Sequence, residues 1–136
     1  MGSKKYNSVM LIDDNEIDNL INQKMIEAVN ISENIYTHTG AKSAIEFLRN
    51  LEKVKGVADE VLPDVIFLDI DMPLMDGFQF LDEFLKLEQS TQSKCRIVML
   101  TSSINPQDVS KSKKYTCVKK YVNKPLTQNT LETLDV

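Results

Sequence analysis

Short apolar blocks alternate along the chain with longer stretches in which apolar residues recur every three or four positions. Ser8 to Asp13 (SVMLID) is the first block, a strand that runs into acid. Beyond Asn15 the apolar positions are Ile17, Leu20, Ile21, Met25 and Ala28, a spacing that predicts a helix with one stripe facing a core. Asn34 to Thr39 predicts a half-exposed strand broken by Gly40. Ala41, Ala44, Ile45 and Leu48 mark a second helix, with Leu51 to Leu62 as its frayed end and a loop. Pro63 opens the next strand, where proline costs no ladder hydrogen bond, and Asp64 to Asp69 (DVIFLD) again runs apolar into acid. After a loop with Pro73 and Gly77, the positions Phe80, Leu81, Phe84 and Leu85 predict a third, core-facing helix. Arg96 to Thr101 (RIVMLT) is a fourth strand, and Asn105-Pro106 has the residues of a helix start, Asn at the N-cap and Pro at N1. Val118 to Asn123 is a fifth strand, and Thr127 to Leu134 a short last helix.

The order is βαβαβαβαβα. Strands apolar on both sides need cover on both sheet faces. The alternation predicts an α/β fold, a doubly wound parallel sheet of five strands flanked by five helices. Ligands of such sheets bind at the carboxyl ends of the strands. With 136 residues the chain fits one core, here Ser8 to Leu134, with residues 1–7 as a tail partly of cloning origin.

Composition narrows the function classes. The net charge of −4 argues against direct nucleic-acid binding, which needs clustered cations. Apolar runs such as Val65 to Leu68 fall far short of the roughly 20 residues of a membrane span. The polar, basic start predicts no signal peptide and a cytoplasmic location. Cys95 and Cys117 then read as reduced thiols buried as small hydrophobes.

The polar residues at the strand ends carry the chemistry. Asp13 and Asp14 end the first strand, Asp69 the third, Thr101 the fourth and Lys124 the fifth, just before Pro125. In a parallel sheet all five gather at one edge. Two like charges about 4 Å apart repel by roughly 4 kcal/mol at an effective dielectric near 20. Either one acid stays protonated or a cation binds. Carboxylate oxygens suit Mg²⁺, Lys124 supplies a point charge for a phosphoryl oxygen, and Thr101 supplies a hydroxyl. A carboxylate in that setting is fit to attack phosphorus and form an acyl phosphate.

At these positions the chain resembles the response regulator receiver domains of two-component signalling. The matching residues are Val9 to Asp14, Phe67 to Gly77 (FLDIDMPLMDG), Met99 to Ser102 and Tyr121 to Pro125, four motifs in order across Ser8 to Leu134. The resemblance implies a flavodoxin-like fold and a phosphoacceptor switch using Mg²⁺. Asp69 would accept the phosphoryl group. Asp14 and Asp69 would bind Mg²⁺ directly, Asp13 through water, and Asp71 through its backbone carbonyl. Thr101 and Lys124 would bind the phosphoryl group, Tyr121 would turn inward behind Thr101, and the Lys124-Pro125 bond would be cis. The implied donor is a histidine kinase or histidine phosphotransfer protein. The downstream target is a protein that the sequence does not name. Cys117-Val118 departs from the family's usual Gly-Ala, which removes a glycine terminator from the preceding helix. Asp71 and Ser103 would tune the lifetime of the phosphoryl group.

Each residue also has a plainer reading. Asp13-Asp14 would suit any helix start, Asp69 a turn, Lys124 a solvated surface and Tyr121 a core. Four such readings at successive strand ends are a poor joint account. His38 has no partner acid in sequence and reads as a surface residue. Lys111, Lys113, Lys114, Lys119 and Lys120 read equally as a solvated face or a docking surface for an acidic partner. Two other functions compete. Asp69-Ile70-Asp71 imitates the haloacid-dehalogenase nucleophile, but there the acid pair comes last, and this chain has no room for a cap. A receiver-like module that only binds a partner would lack Mg²⁺ affinity.

Overall fold

The computed structural model describes residues 5–54, 61–72, 74–102 and 104–136. Ser103, Pro73, the first four residues and part of the loop between Leu51 and Leu62 lie outside the described residues. The elements are β1 (Tyr6–Ile12), α1 (Glu16–Val29), β2 (Ser32–His38), α2 (Ala41–Glu52), β3 (Val65–Asp69), α3 (Gly77–Phe84), α4 (Gln89–Lys94), β4 (Arg96–Thr101), α5 (Pro106–Ser112), β5 (Val118–Asn123) and α6 (Gln128–Glu132). The five strands form one all-parallel sheet in the order β2-β1-β3-β4-β5. The direction of winding reverses between β1 and β3. A crevice therefore opens beyond the carboxyl ends of those two strands.

Strand alternation divides the core in two. Met10, Ile12, Ile66, Leu68, Ile97 and Met99 face the side covered by Ala44, Ile45 and Leu48 of α2 and by Phe80, Leu81 and Phe84 of α3. Val9, Leu11, Val65, Phe67, Val98 and Leu100 face the other side, covered by Ile26 of α1 and Leu131 of α6. β3 is buried along its whole length, as a central parallel strand must be.

Four details depart from the pattern reading. β1 begins at Tyr6, two residues early, because Tyr6 is buried, its backbone N–H donates to the Ile31 carbonyl at 2.8 Å and its hydroxyl donates to the Val136 carbonyl at 3.1 Å. One helix was expected between β3 and β4, and two are present. α3 ends at Phe84, Leu85 is exposed rather than core-facing, and α4 follows, its Thr91 hydroxyl donating to Glu52 at 2.6 Å. α5 ends at Ser112 without a glycine, as Cys117-Val118 implies, whereas β2 spans Ser32–His38 rather than Asn34 to Thr39.

The fourth detail concerns α1. Ile17, Leu20 and Ile21, expected in the core, are 68%, 53% and 46% exposed, and Ala28 is exposed as well. The buried face is instead Asn19, Asn22 and Ile26. Two asparagines win over three aliphatics because their amides pair with backbone groups beyond the strand ends, where the aliphatics could offer no hydrogen bond. The Asn19 amide donates to the carbonyls of Asp13 and His38 at 2.9 and 3.2 Å, and Asn22 Oδ1 accepts the Leu126 N–H at 2.9 Å.

Candidate functional site

The loop after β1 is built to hold its acids. Asn15 caps α1, its side chain accepting the N–H groups of Ile17 and Asp18 at 2.9 and 3.1 Å. Asp13 donates its own N–H to His38 at 3.1 Å, and its Oδ1 accepts the Asn15 N–H at 2.9 Å. Its carboxylate is thus fixed while only 2% of the residue is exposed. Asp14 is exposed at the mouth of the crevice.

Asp69 ends β3 and is 3% exposed. The carboxylate oxygens of Asp13, Asp14 and Asp69 lie within 4.8 Å of one another. Gly77 keeps the far side tight. Its N–H donates to the Ile70 carbonyl at 3.0 Å, and a Cβ there would stand 2.9 Å from both the Asp69 carbonyl oxygen and Ile70 Cα. Asp71 lies beside the cluster, its backbone N–H donating to Asp69 Oδ1 at 3.3 Å.

Lys124 reaches in from the end of β5, past a cis Lys124-Pro125 bond. Its Nζ donates to Asp13 Oδ2 at 2.8 Å and to Asp18 Oδ2 at 3.0 Å, and stands 3.4 Å from Asp69 Oδ1. Thr101, at the end of β4, is buried and accepts the Lys124 N–H on its carbonyl at 2.7 Å. Tyr121 lies half-buried on β5 opposite Met99. Its hydroxyl is buried without a well-formed hydrogen bond.

The charges do not cancel, since the Lys124 ammonium meets three carboxylates, Asp13, Asp18 and Asp69, and Asp14 adds a fourth to the cluster. Burial, then the charge of Asp13, pushes the Asp69 carboxyl up to about 7 against the pull of Lys124. Burial draws the Lys124 ammonium down, but its hydrogen bonds to Asp13 and Asp18 and the charge of Asp69 outweigh that and hold it above the usual lysine range. Burial, then the charges of Asp108 and Asp71, raises Tyr121. A compact set of oxygen donors, Asp13 and Asp69 buried and Asp14 open to solvent, with surplus negative charge suits a small hard cation. These residues fit one.

Asp13, Asp14, Asp69, Thr101 and Lys124 therefore share one edge, as the strand ends predict. Tyr121 lies two strand positions further back, opposite Met99 rather than Thr101, and Ser103 is outside the described residues. Sequence reasoning missed Asp18. Its signal was an acid one helical turn beyond Asp14, in the first turn of a helix whose start was already located. Elsewhere, His38 packs its half-buried ring 5.5 Å from Phe47, with Nδ1 3.2 Å from Ser43 Oγ, and takes no part in the cluster. Cys95 and Cys117 are buried and free. Of the lysine run, Lys111 lies 4.4 Å over the Phe78 ring, Lys120 is half-buried 3.7 Å from Asp135, and Lys113, Lys114 and Lys119 are exposed. No helix among the described residues is long and apolar enough to cross a membrane.

The family described as response regulator receiver domain matches residues 9–134. A solved two-component response regulator from Cytophaga hutchinsonii is 34% identical, with a TM-score of 0.84 over 95% of this chain and 93% of that one. The sensor histidine kinase CheAY of Helicobacter pylori is 27% identical over 126 residues, 93% of this chain and 14% of that protein. The hybrid signal transduction histidine kinase C of Dictyostelium discoideum is 28% identical over 103 residues, 73% of this chain and 7% of that protein. The chain thus spans a small part of the curated proteins it matches.

Proposed function

The chain belongs to the response regulator receiver domain family, a family of signalling switches, and from that premise we propose that Asp69 is its phosphoacceptor. The donor is a phosphohistidine of a histidine kinase or histidine phosphotransfer protein. An Asp69 oxygen attacks the phosphorus, the P–O bond forms as the P–N bond breaks, and the imidazole nitrogen keeps the electron pair and takes a proton from solvent. Asp14 and Asp69 would hold Mg²⁺ through their carboxylates, Asp13 through water and Asp71 through its backbone carbonyl. When bound, the ion neutralises charge that builds on the transferring oxygens.

The residues of the chain do the rest. Lys124 supplies a fixed positive charge beside Asp69, and Thr101 a hydroxyl for the phosphoryl oxygen. Thr101 and Tyr121 then carry the change to the face formed by α5, β5 and α6, where the downstream protein binds. A phosphoryl group shifts that equilibrium only through its different contacts in the two states. The protein acts on itself and on its donor, not on external substrates in multiple turnovers, and the same reading carries a cytoplasmic location. The receiver unit comprises residues 8–134 together with Tyr6 and Asn7 of β1 and the end of the chain that Tyr6 holds.

The observation that supports this most is the meeting of three carboxylates and one ammonium at the ends of β1, β3 and β5. The test is intact mass before and after Mg²⁺ with acetyl phosphate. The parent should gain one phosphoryl group and Asp69→Asn none. Equal uptake by Asp69→Asn would show the assignment to be wrong.

A further inference from the structure

Lys124 is gripped from two sides. Its ammonium donates to Asp13 at 2.8 Å and to Asp18 at 3.0 Å. An ammonium has three N–H donors in a tetrahedral arrangement, so committing two of them fixes the direction of the third. The remaining carboxylate beside it is Asp69, whose Oδ1 lies 3.4 Å away, an ion-pair distance longer than a hydrogen bond of good length. A new oxygen attached to Asp69 would meet this third donor.

The two grips differ. Asp13 belongs to the carboxylate triad with Asp14 and Asp69, so a cation bound there draws on the same side chain that holds Lys124. Asp18 stands outside the triad. It projects from the first turn of α1, where its backbone N–H is already satisfied by the Asn15 cap, and its carboxylate crosses to the end of β5. An acid at a helix start is favoured by the macrodipole without any partner. The bond to Lys124 is therefore additional to what the helix needs.

We propose that Asp18 is a positioning residue for phosphoryl transfer, a second anchor that aims the free N–H of Lys124 at Asp69. The proposal rests on the reading of Asp69 as phosphoacceptor. A lysine side chain is a point charge on a flexible four-carbon stem. Held by Asp13 alone, its ammonium turns about a single contact, and that contact is the one a cation weakens. A charge aimed at the wrong place contributes little to a transition state whose demand is geometric.

The test uses the full chain with Asp18→Asn, Asp18→Glu and Asp69→Asn. Phosphoryl uptake from acetyl phosphate in Mg²⁺ is followed by intact mass. Asp18→Asn is expected to slow uptake roughly five- to twentyfold. Asp18→Glu keeps the charge at a partly exposed position and should recover most of the rate. In the unphosphorylated protein, the ¹⁵N-detected ammonium signal of Lys124, assigned by its loss in Lys124→Arg, should be sharp in the parent and in Asp18→Glu but broadened in Asp18→Asn. A purely structural role at the helix start would move the melting temperature and leave that signal alone. Asp18→Asn labelled at the parent's rate or faster, or retaining the parent's Lys124 signal, overturns the proposal. If Asp69→Asn takes up no phosphoryl group in the same series, the phosphoacceptor reading survives that failure. Labelling of Asp69→Asn at the parent's rate overturns both.

Discussion

Replacing Asp69 by asparagine should stabilise the metal-free protein at pH 8. Burial and the charge of Asp13 push this carboxyl from 3.8 to about 7. A carboxyl whose pKa is raised by folding contributes stability fully below its unfolded pKa and loses that contribution as pH rises through its folded value. The window here runs from about 4 to about 7. Above it the native state carries an ionised group that it disfavours. At 1.36 kcal/mol per pKa unit, the ceiling of that penalty is about 4 kcal/mol. The crevice opens to water at Asp14, which screens part of the repulsion, so a realistic gain for the variant is about 2 kcal/mol, or roughly 5–10 °C in Tm for a chain of this length. Asparagine cannot ionise and escapes the penalty. Urea and thermal unfolding of parent and variant, in chelator from pH 4 to pH 8, should show the stability gap opening as pH rises. Millimolar Mg²⁺ at pH 8 should narrow it, because a cation relieves the parent more than the variant. A variant no more stable than the parent at pH 8, or a gap that ignores pH, would refute the reasoning.

Lys124→Met should act in the opposite direction. It leaves Asp13 and Asp69 without their shared cation, and removing one partner of a buried pair costs about 3–5 kcal/mol; urea unfolding in chelator should show a loss near the lower figure, smaller in Mg²⁺. Gly77→Ala should destabilise by about 1–3 kcal/mol, because its Cβ would meet backbone atoms of Asp69 and Ile70 at 2.9 Å. It should also slow phosphoryl uptake by displacing the end of β3, and normal stability with normal uptake would count against the contact. On α1 the polar position should matter more than the aliphatic one. Asn22→Ala leaves the Leu126 N–H unpaired and should cost about 1–3 kcal/mol, whereas Ile17→Ala on the exposed face should stay within about 0.5 kcal/mol, both read from urea midpoints.

The contrast between Asn22 and Ile17 marks where pattern reading fails. Periodicity counts apolar residues and assigns them to the core. It works for α2 and, apart from Leu85, for α3, whose inner faces pack into the apolar cluster on that side of the sheet. α1 starts directly beyond the end of β1, where the Asn19 amide meets the carbonyls of Asp13 and His38 and Asn22 meets the N–H of Leu126. An unpaired buried backbone group costs enough to draw an asparagine inward and turn the aliphatic stripe outward. The strand ends were legible for a related reason. An apolar block that stops at an acid or a lysine fixes both the end of the strand and the place of its charge. Parallel pairing then brings those charges together without any knowledge of strand order.

Strand order adds what the pattern could not supply. β1 and β3 are neighbours at the point where the winding reverses, so Asp13 and Asp69 end adjacent strands. No helix among the described residues covers that point, because the connections leave it in opposite directions. The acids are thus close enough to repel and open enough to be reached. Had β3 lain at an edge, the same residues would be separated and solvated, and Asp69 would keep an ordinary pKa. The raised carboxyl and the doubly gripped lysine share one cause, the crowding of like charges where β1 and β3 end side by side.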